Sequence, residues 1–186
     1  MTNLIRSALA ALGMLSAVPA SAATAWDFSF VGIDGQPLPL AQYQGKAVLV
    51  VNTASQCGFT PQYSGLEALA KKYRERGLVV VGVPSNDFGA QEPGNSSEIK
   101  QFCETTFGID FPLTEKVDVN GDDRHALYAE LSAIVDDADG ESYSGDIRWN
   151  FEKFLIGADG QVIRRYNPRV EPNDPQLIAD IAAALA

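Results

Sequence analysis

The sequence predicts an α/β three-layer sandwich, and three observations lead to this fold class. Residues 46–53 (KAVLVVNT) and 78–83 (LVVVGV) are continuous apolar, β-branched runs, which are typical of strands buried on both faces of a parallel sheet. Residues 61–76 repeat apolar side chains at helical spacing between these runs. Such a strand–helix–strand unit packs its helix against a face of the sheet. The 186 residues, 46% of them apolar, suffice for one domain.

The first half of the chain carries clear signals for where its elements begin and end. Residues 26–40 alternate loosely around the dipeptide Asp34-Gly35, which predicts an N-terminal hairpin extension. The helix at 61–76 has Thr60 as a candidate cap and Pro61 in its first turn, and Gly77 ends it.

The second half alternates helices with a further hairpin. Turn residues, caps and apolar periodicity predict the following elements. They are a helix at 97–106 capped by Ser96 or Ser97, a short helix at 124–134, a polar surface loop at 136–146, strands at 149–156 and 161–166 around Asp159-Gly160, and a closing helix at 175–185 capped by Asp174.

The composition excludes several classes of function. Twenty-four acidic residues against 14 basic ones give a net charge of −10, whereas nucleic acids and anionic membranes attract basic surfaces. Two cysteines and one histidine cannot fill a four-ligand zinc site of the Cys/His type. We therefore expect no nucleic-acid partner, no metal and no cofactor. The single histidine, His125, lies at a predicted helix start and is expected to be a surface or capping residue.

The first 22 residues are predicted to be a signal peptide. Arg6 supplies a positive start, residues 8–18 are apolar, and Ala20-Ser21-Ala22 fits the small-residue cleavage rule. The run is shorter than a transmembrane helix of about 20 residues, although an uncleaved anchor remains the alternative. The remaining domain, residues 23–186, is expected to be exported to the periplasm without stable insertion into a membrane.

Cys57 is the candidate nucleophile. It follows the first buried strand and precedes the first helix, at the sheet edge where reactive groups of open α/β sheets lie. The positive end of the helix dipole favours a thiolate there, which is the nucleophilic form. A buried structural cysteine is the alternative, and position alone leaves both open.

Three neutral hydrogen-bond donors are expected at the same edge. Gln91 follows the second buried strand, and Trp149 and Asn150 open the third, which reaches this edge if it runs antiparallel. Amide and indole N–H groups can stabilise a thiolate and position a hydroperoxide without adding charge. Taken singly, each residue also fits a structural role: a solvated loop residue, a core plug or a strand-edge residue.

Three motifs, in order and at family-like spacing, resemble the signatures of the glutathione peroxidase family. They are residues 51–58 (VNTASQCG), 84–94 (PSNDFGAQEPG) and 148–154 (RWNFEKF). The resemblance covers the chain from about Trp26 onward. It implies a thioredoxin-like fold, a hydroperoxide substrate, a peroxidatic Cys57, and a tetrad completed by Gln91, Trp149 and Asn150.

Two departures from well-known animal members matter. Cys57 stands where those members carry selenocysteine, which implies slower chemistry because a thiolate is the poorer nucleophile. The stretch between Tyr128 and Trp149 lacks the insertion through which tetrameric members assemble, and similar short members are usually monomers.

Cys103 lies in the second predicted helix, in a context that resembles relatives with a resolving cysteine. The resemblance implies that Cys103 condenses with the sulfenic acid of Cys57, and that a thioredoxin-like protein or glutathione reduces the disulfide. The alternative is a permanent disulfide, with a loop-closure entropy worth roughly 4 kcal/mol.

Two rival functions remain beside a peroxidase. A peroxide sensor or thiol–disulfide exchange protein would share the Cys57 chemistry but pass the oxidation to a partner. A non-enzymatic binding module with a structural disulfide is disfavoured, because it needs no ring of donors around a thiol.

Overall fold

The computed structural model describes residues 23–136 and 142–186. The predicted signal peptide and the middle of the predicted polar loop lie outside the described residues. The strands are β1 (Ser29–Val31), β2 (Pro37–Pro39), β3 (Ala47–Thr53), β4 (Leu78–Pro84), β5 (Lys153–Ile156) and β6 (Val162–Tyr166). The α-helices are α1 (Gln62–Tyr73), α2 (Ser96–Phe102), α3 (Ala126–Ser132) and α4 (Pro175–Ala184).

The central sheet has the order β4-β3-β5-β6. Strands β3 and β4 are parallel, whereas β5 runs antiparallel to both β3 and β6. The carboxyl ends of β3 and β4 therefore share an edge with the start of β5, as the sequence predicts. Strands β1 and β2 pair antiparallel outside this sheet and form the predicted N-terminal hairpin.

Strand β3 divides the core into two apolar clusters. All seven of its residues are buried, and because successive side chains point to opposite faces, it contributes to both. Leu49 and Val51 belong to the cluster with α1, α2 and α4, whereas Val48 and Val50 pack with α3 and the N-terminal hairpin. This arrangement confirms the three-layer sandwich.

Two predicted caps are wrong. The helix α1 begins at Gln62, and the Thr60 hydroxyl makes its hydrogen bonds within the preceding loop. Asn95, not Ser96 or Ser97, caps α2, because its side chain accepts from Glu98 N while the Glu98 carboxylate accepts from Asn95 N. This reciprocal pair satisfies two helix-end donors at once.

The second helix changes geometry along its length. After Phe102 the chain continues as a π-helical turn, Cys103–Phe107, which ends at Gly108 in the left-handed region. Such turns are rare and are often found at functional sites. Cys103 therefore lies at a junction between two helix types rather than inside a regular helix.

Two differences concern the region before β5. The strand begins at Lys153, so Trp149 and Asn150 lie in a turn rather than in the strand. Asp136 is not a surface residue, since it is fully buried and forms an ion pair with Arg148. Within the part of the chain that is described, no helix is long and apolar enough to cross a bilayer.

Candidate active site

Cys57 lies in a tight loop between β3 and α1. Its side chain is 8% exposed, and the backbone N–H of Phe59 donates to its Sγ at 3.4 Å. The Thr60 hydroxyl accepts from Cys57 N at 3.0 Å and donates to Ala54 O at 2.8 Å. Thr60 therefore fixes the loop that carries the thiol.

Gln91 connects three segments: the loop of Cys57, its own loop after β4, and the turn that contains Asn150. Its carbonyl oxygen accepts from Gln56 N at 3.0 Å, and its side-chain oxygen accepts from Asn150 Nδ2 at 3.0 Å. Since Asn150 occupies the amide oxygen, the NH2 group of Gln91 is left as a donor. The structure thus brings Gln91 and Asn150 together beside the residue that precedes Cys57.

Trp149 lies at the surface of the same turn. It is 38% exposed, and its ring packs against Phe88 with 5.5 Å between ring centroids. Its carbonyl accepts from Asn52 Nδ2 at 2.9 Å. No hydrogen bond occupies the indole N–H among residues 23–136 and 142–186, so this donor is available at the surface.

Backbone strain is concentrated beside these donors. In the described ranges, the only non-glycine residues with positive φ are Ala90 (51°) and Phe151 (67°). Ala90 precedes Gln91, and Phe151 follows Asn150. Each such residue costs on the order of 1–3 kcal/mol and persists only where its surroundings hold it, which is typical of functional sites.

Cys103 is a free thiol, like Cys57. It is fully buried and belongs to the same apolar cluster as Cys57. Burial raises the pKa of Cys103 to about 11, and the nearby Tyr63 hydroxyl opposes this only in part. Cys103 is therefore almost wholly protonated at neutral pH in this conformation.

Tyr63 packs against one aromatic ring of the π-helical turn that begins at Cys103 and against another that follows Asn150. Its ring lies 5.4 Å from that of Phe107 and 5.3 Å from that of Phe151, centroid to centroid. Its hydroxyl is fully buried without a hydrogen bond of normal geometry to the described residues. Burial, the largest cause, and the neighbouring Cys103 thiol raise the pKa of Tyr63 well above its usual value.

A cleft of about 460 Å³ opens between the Cys57 loop and α2. Its lining includes Gln56 and Glu92 on one side and Ile99 and Phe102 on the other. Glu92 is buried, and burial raises the pKa of its carboxyl although the Ser55 hydroxyl donates to it at 3.1 Å. The cleft has room for a small ligand or a side chain of a partner.

His125 has the capping role that the sequence predicts. Its Nδ1 accepts from Leu127 N at the start of α3, and its Nε2 lies 3.0 Å from Ser29 O. The ring stacks on Phe30 at 4.0 Å between centroids. No group of three or more potential metal-binding side chains occurs in the parts of the chain that are described.

Sequence reasoning missed two residues behind the turn that carries Trp149 and Asn150. Asn52 lies in β3 and Lys153 opens β5, and both are fully buried. The Lys153 ammonium donates to Phe151 O at 2.7 Å. Asn52 is a polar residue within the apolar run 46–53, and this position could have indicated a special role. Lys153 gives no such signal, because a lysine is ordinarily an exposed charge.

Known proteins resemble this chain over most of its length. The family profile described as glutathione peroxidase matches residues 25–132. The hydroperoxy fatty acid reductase gpx1 of Synechocystis is 48% identical over 164 residues, which cover 87% of this chain and 96% of that protein. The thioredoxin/glutathione peroxidase BtuE of Escherichia coli is 44% identical, with 83% of this chain and 93% of that protein covered.

A solved structure extends the likeness in fold. A thiol:disulfide interchange protein of the thioredoxin family from Chlorobium tepidum superposes with a TM-score of 0.63 at 23% identity, covering 91% of this chain and all of that one. This confirms the thioredoxin-like fold. The chain belongs to the glutathione peroxidase family and is a peroxidase of the oxidoreductase class.

Proposed function

We propose that the protein reduces hydrogen peroxide and organic hydroperoxides, including those of lipids, at Cys57. A Cys57–Cys103 disulfide forms in each cycle, and a thioredoxin-like protein or glutathione reduces it. One observation carries the proposal: Gln91 bonds both the loop of Cys57, through Gln56 N, and the Asn150 amide. These two bonds connect segments that are distant in the sequence to the loop that carries one nearly buried thiol.

In the first step the Cys57 thiolate attacks one oxygen of the hydroperoxide. An S–O bond forms as the O–O bond breaks, and the departing oxygen takes up a proton and leaves as water or an alcohol. The sulfur becomes a sulfenic acid. The N–H donors of Gln91, Trp149 and Asn150 stabilise the thiolate and the negative charge that develops on the departing oxygen.

In the second step the Cys103 thiolate attacks the sulfenic sulfur. The S–S bond forms as the S–O bond breaks, and the departing hydroxide takes up a proton and leaves as water. Cys103 is fully buried and its thiol has a pKa raised to about 11; we therefore propose that the π-helical turn and the end of α2 open before the attack. Opening exposes the thiol and returns its pKa towards the ordinary range.

A dithiol donor, or two glutathione molecules in succession, completes the cycle through a mixed disulfide. The donor is oxidised to a disulfide, and both cysteines return to thiols. The names of the two relatives support the choice of substrates. One relative is named a hydroperoxy fatty acid reductase, and the other is named a thioredoxin/glutathione peroxidase. We further propose that residues 1–22 direct export, so that a monomer works in the periplasm with a donor of that compartment.

The test counts thiols and measures turnover on protein lacking residues 1–22. One equivalent of peroxide should consume both thiols of the parent protein, and intact-mass analysis should detect one internal disulfide. Cys57→Ser should leave peroxide unconsumed while the protein stays folded. Cys103→Ser should react once, stall as a sulfenic acid and lose turnover with thioredoxin.

The comparison of the two variants decides the assignment. Peroxide consumption by Cys57→Ser at the parent rate would refute the nucleophile. Turnover of Cys103→Ser with thioredoxin at the parent rate would refute the resolving role and favour an external thiol. Thioredoxin and glutathione, assayed in parallel, identify the donor.

A further inference from the structure

We propose that Lys153 and Asn52 are positioning residues, which together hold the turn carrying Trp149 and Asn150 against Gln91. The inference rests on the proposed roles of these donors, and it adds two residues that never touch the substrate. Lys153 takes no part in the proposed reaction.

Lys153 is buried at an unusual cost. Its side chain is fully inaccessible, and in the described part of the chain it makes no ion pair. Its ammonium has one hydrogen bond, to Phe151 O at 2.7 Å. A buried charge without a partner is strongly disfavoured; accordingly, burial lowers the pKa of Lys153 to about 7, against the opposing effect of Glu171 and Glu152.

The bond partner of Lys153 is itself strained. Phe151 has φ of 67°, and a bulky aromatic residue rarely adopts a left-handed conformation. Such a residue stays there only when surrounding contacts over-determine it. Lys153 supplies one of those contacts, at the carbonyl of Phe151.

Asn52 supplies the others from the neighbouring strand. Its side chain donates to Trp149 O at 2.9 Å. Its backbone accepts from Phe151 N at 2.6 Å and donates to Glu152 O at 3.3 Å. The turn is thus held by bonds from β3 and from the first residue of β5.

The position of the turn sets the position of the donors. Asn150 reaches Gln91 at 3.0 Å, and Trp149 presents its indole at the surface beside Phe88. A donor displaced by about 1 Å can cost on the order of 100-fold in rate. A neutral amine keeps its N–H donors, so Lys153 can bond to Phe151 O even when it is deprotonated near pH 7. For holding the turn, the N–H donor of Lys153 therefore matters more than its charge.

The test combines a spectroscopic signal with a rate. The chain has two tryptophans, so a Trp26→Phe background leaves Trp149 as the single tryptophan, whose fluorescence can be followed. In this background Lys153→Met should raise acrylamide quenching of Trp149 and slow the peroxide oxidation of Cys57 by up to about 100-fold. Lys153→Gln, which keeps a neutral donor, should restore most of both signals.

Tyr166→Phe is the matched control. Tyr166 faces Lys153 in the β5–β6 register, and its hydroxyl donates to Asp180 at 2.7 Å, so the variant loses a buried bond without touching the turn. It should lower stability and leave both signals at parent values.

Two results would overturn the inference. One is unchanged acrylamide quenching of Trp149 in folded Lys153→Met. The other is oxidation of Cys57 in Lys153→Met that is no slower than in Tyr166→Phe. If Lys153→Met does not fold, Asn52→Ala takes its place, with the same expectations and the same refuting results. A different result would refute the proposed donor role of Trp149: Trp149→Phe would then oxidise Cys57 at the parent rate. The two failures can be told apart, because the quenching signal reports on the turn and does not depend on activity.

Discussion

Alkylation of Cys103 in the folded, reduced protein should be at least tenfold slower than in the unfolded chain. The pKa of Cys103 rises from 9.0 to about 11, which lowers the thiolate fraction at pH 8 about 100-fold. The greater nucleophilicity of a more basic thiolate recovers about tenfold of this. Because the side chain is also fully buried, the closed state should be labelled more slowly still. Labelling through an opened state, in which the pKa is ordinary, is limited by how rarely that state forms.

The assay uses Cys57→Ser, so that Cys103 is the single thiol, and follows iodoacetamide labelling at pH 8 with and without urea. Asn95→Ala removes the cap of α2, which should cost about 1 kcal/mol and speed labelling about fivefold. Asp174→Ala removes the corresponding cap of α4 and should leave labelling unchanged. Native labelling at the unfolded rate would refute the burial argument. Equal rates in the two cap variants would show that opening does not unwind α2.

Two further predictions concern the donors and the histidine. Gln91→Ala and Trp149→Phe should each slow the first oxidation of Cys57 by about 10²–10³-fold in rapid-mixing experiments, while reduction of a preformed disulfide keeps its rate; unchanged oxidation removes the residue from the site. Burial lowers the pKa of His125 below 6.5, so the folded state favours the neutral ring and loses stability as pH falls through 6.5. Urea unfolding at pH 7.5 and 5.5 should therefore show a larger loss for the parent than for His125→Asn, which keeps a capping acceptor but does not titrate, and equal losses would contradict this assignment.

The sheet and its functional edge could be predicted because the signals are local. The apolar runs of β3 and β4 identify strands buried on both faces, and their order around α1 makes them parallel. The edge that holds Cys57 and Gln91 follows from this order alone, whereas Asn150 reaches it because β5 runs antiparallel to β3. The motifs then limit the chemistry to that of one family.

The start of β5 could not be predicted because it depends on distant contacts. The run from Trp149 reads as a strand, but Phe151 leaves the extended region under bonds from Asn52 and Lys153. The burial of Asp136 could not be predicted for a similar reason, because it depends on pairing with Arg148. The sequence places the cap of α2 one or two residues too late, because Asn95, Ser96 and Ser97 are all good capping residues.

The π-helical turn at Cys103–Phe107 limits how the enzyme can be made more heat-resistant. If Cys103 reaches Cys57 only after this segment opens, each turnover needs a region that melts well below the temperature at which the sheet does. Substitutions that convert the turn to regular α-helix should raise thermal tolerance while lowering turnover, the usual conflict between rigidity and activity. Stabilising changes are better placed in α4 or the N-terminal hairpin, which the proposed cycle leaves closed.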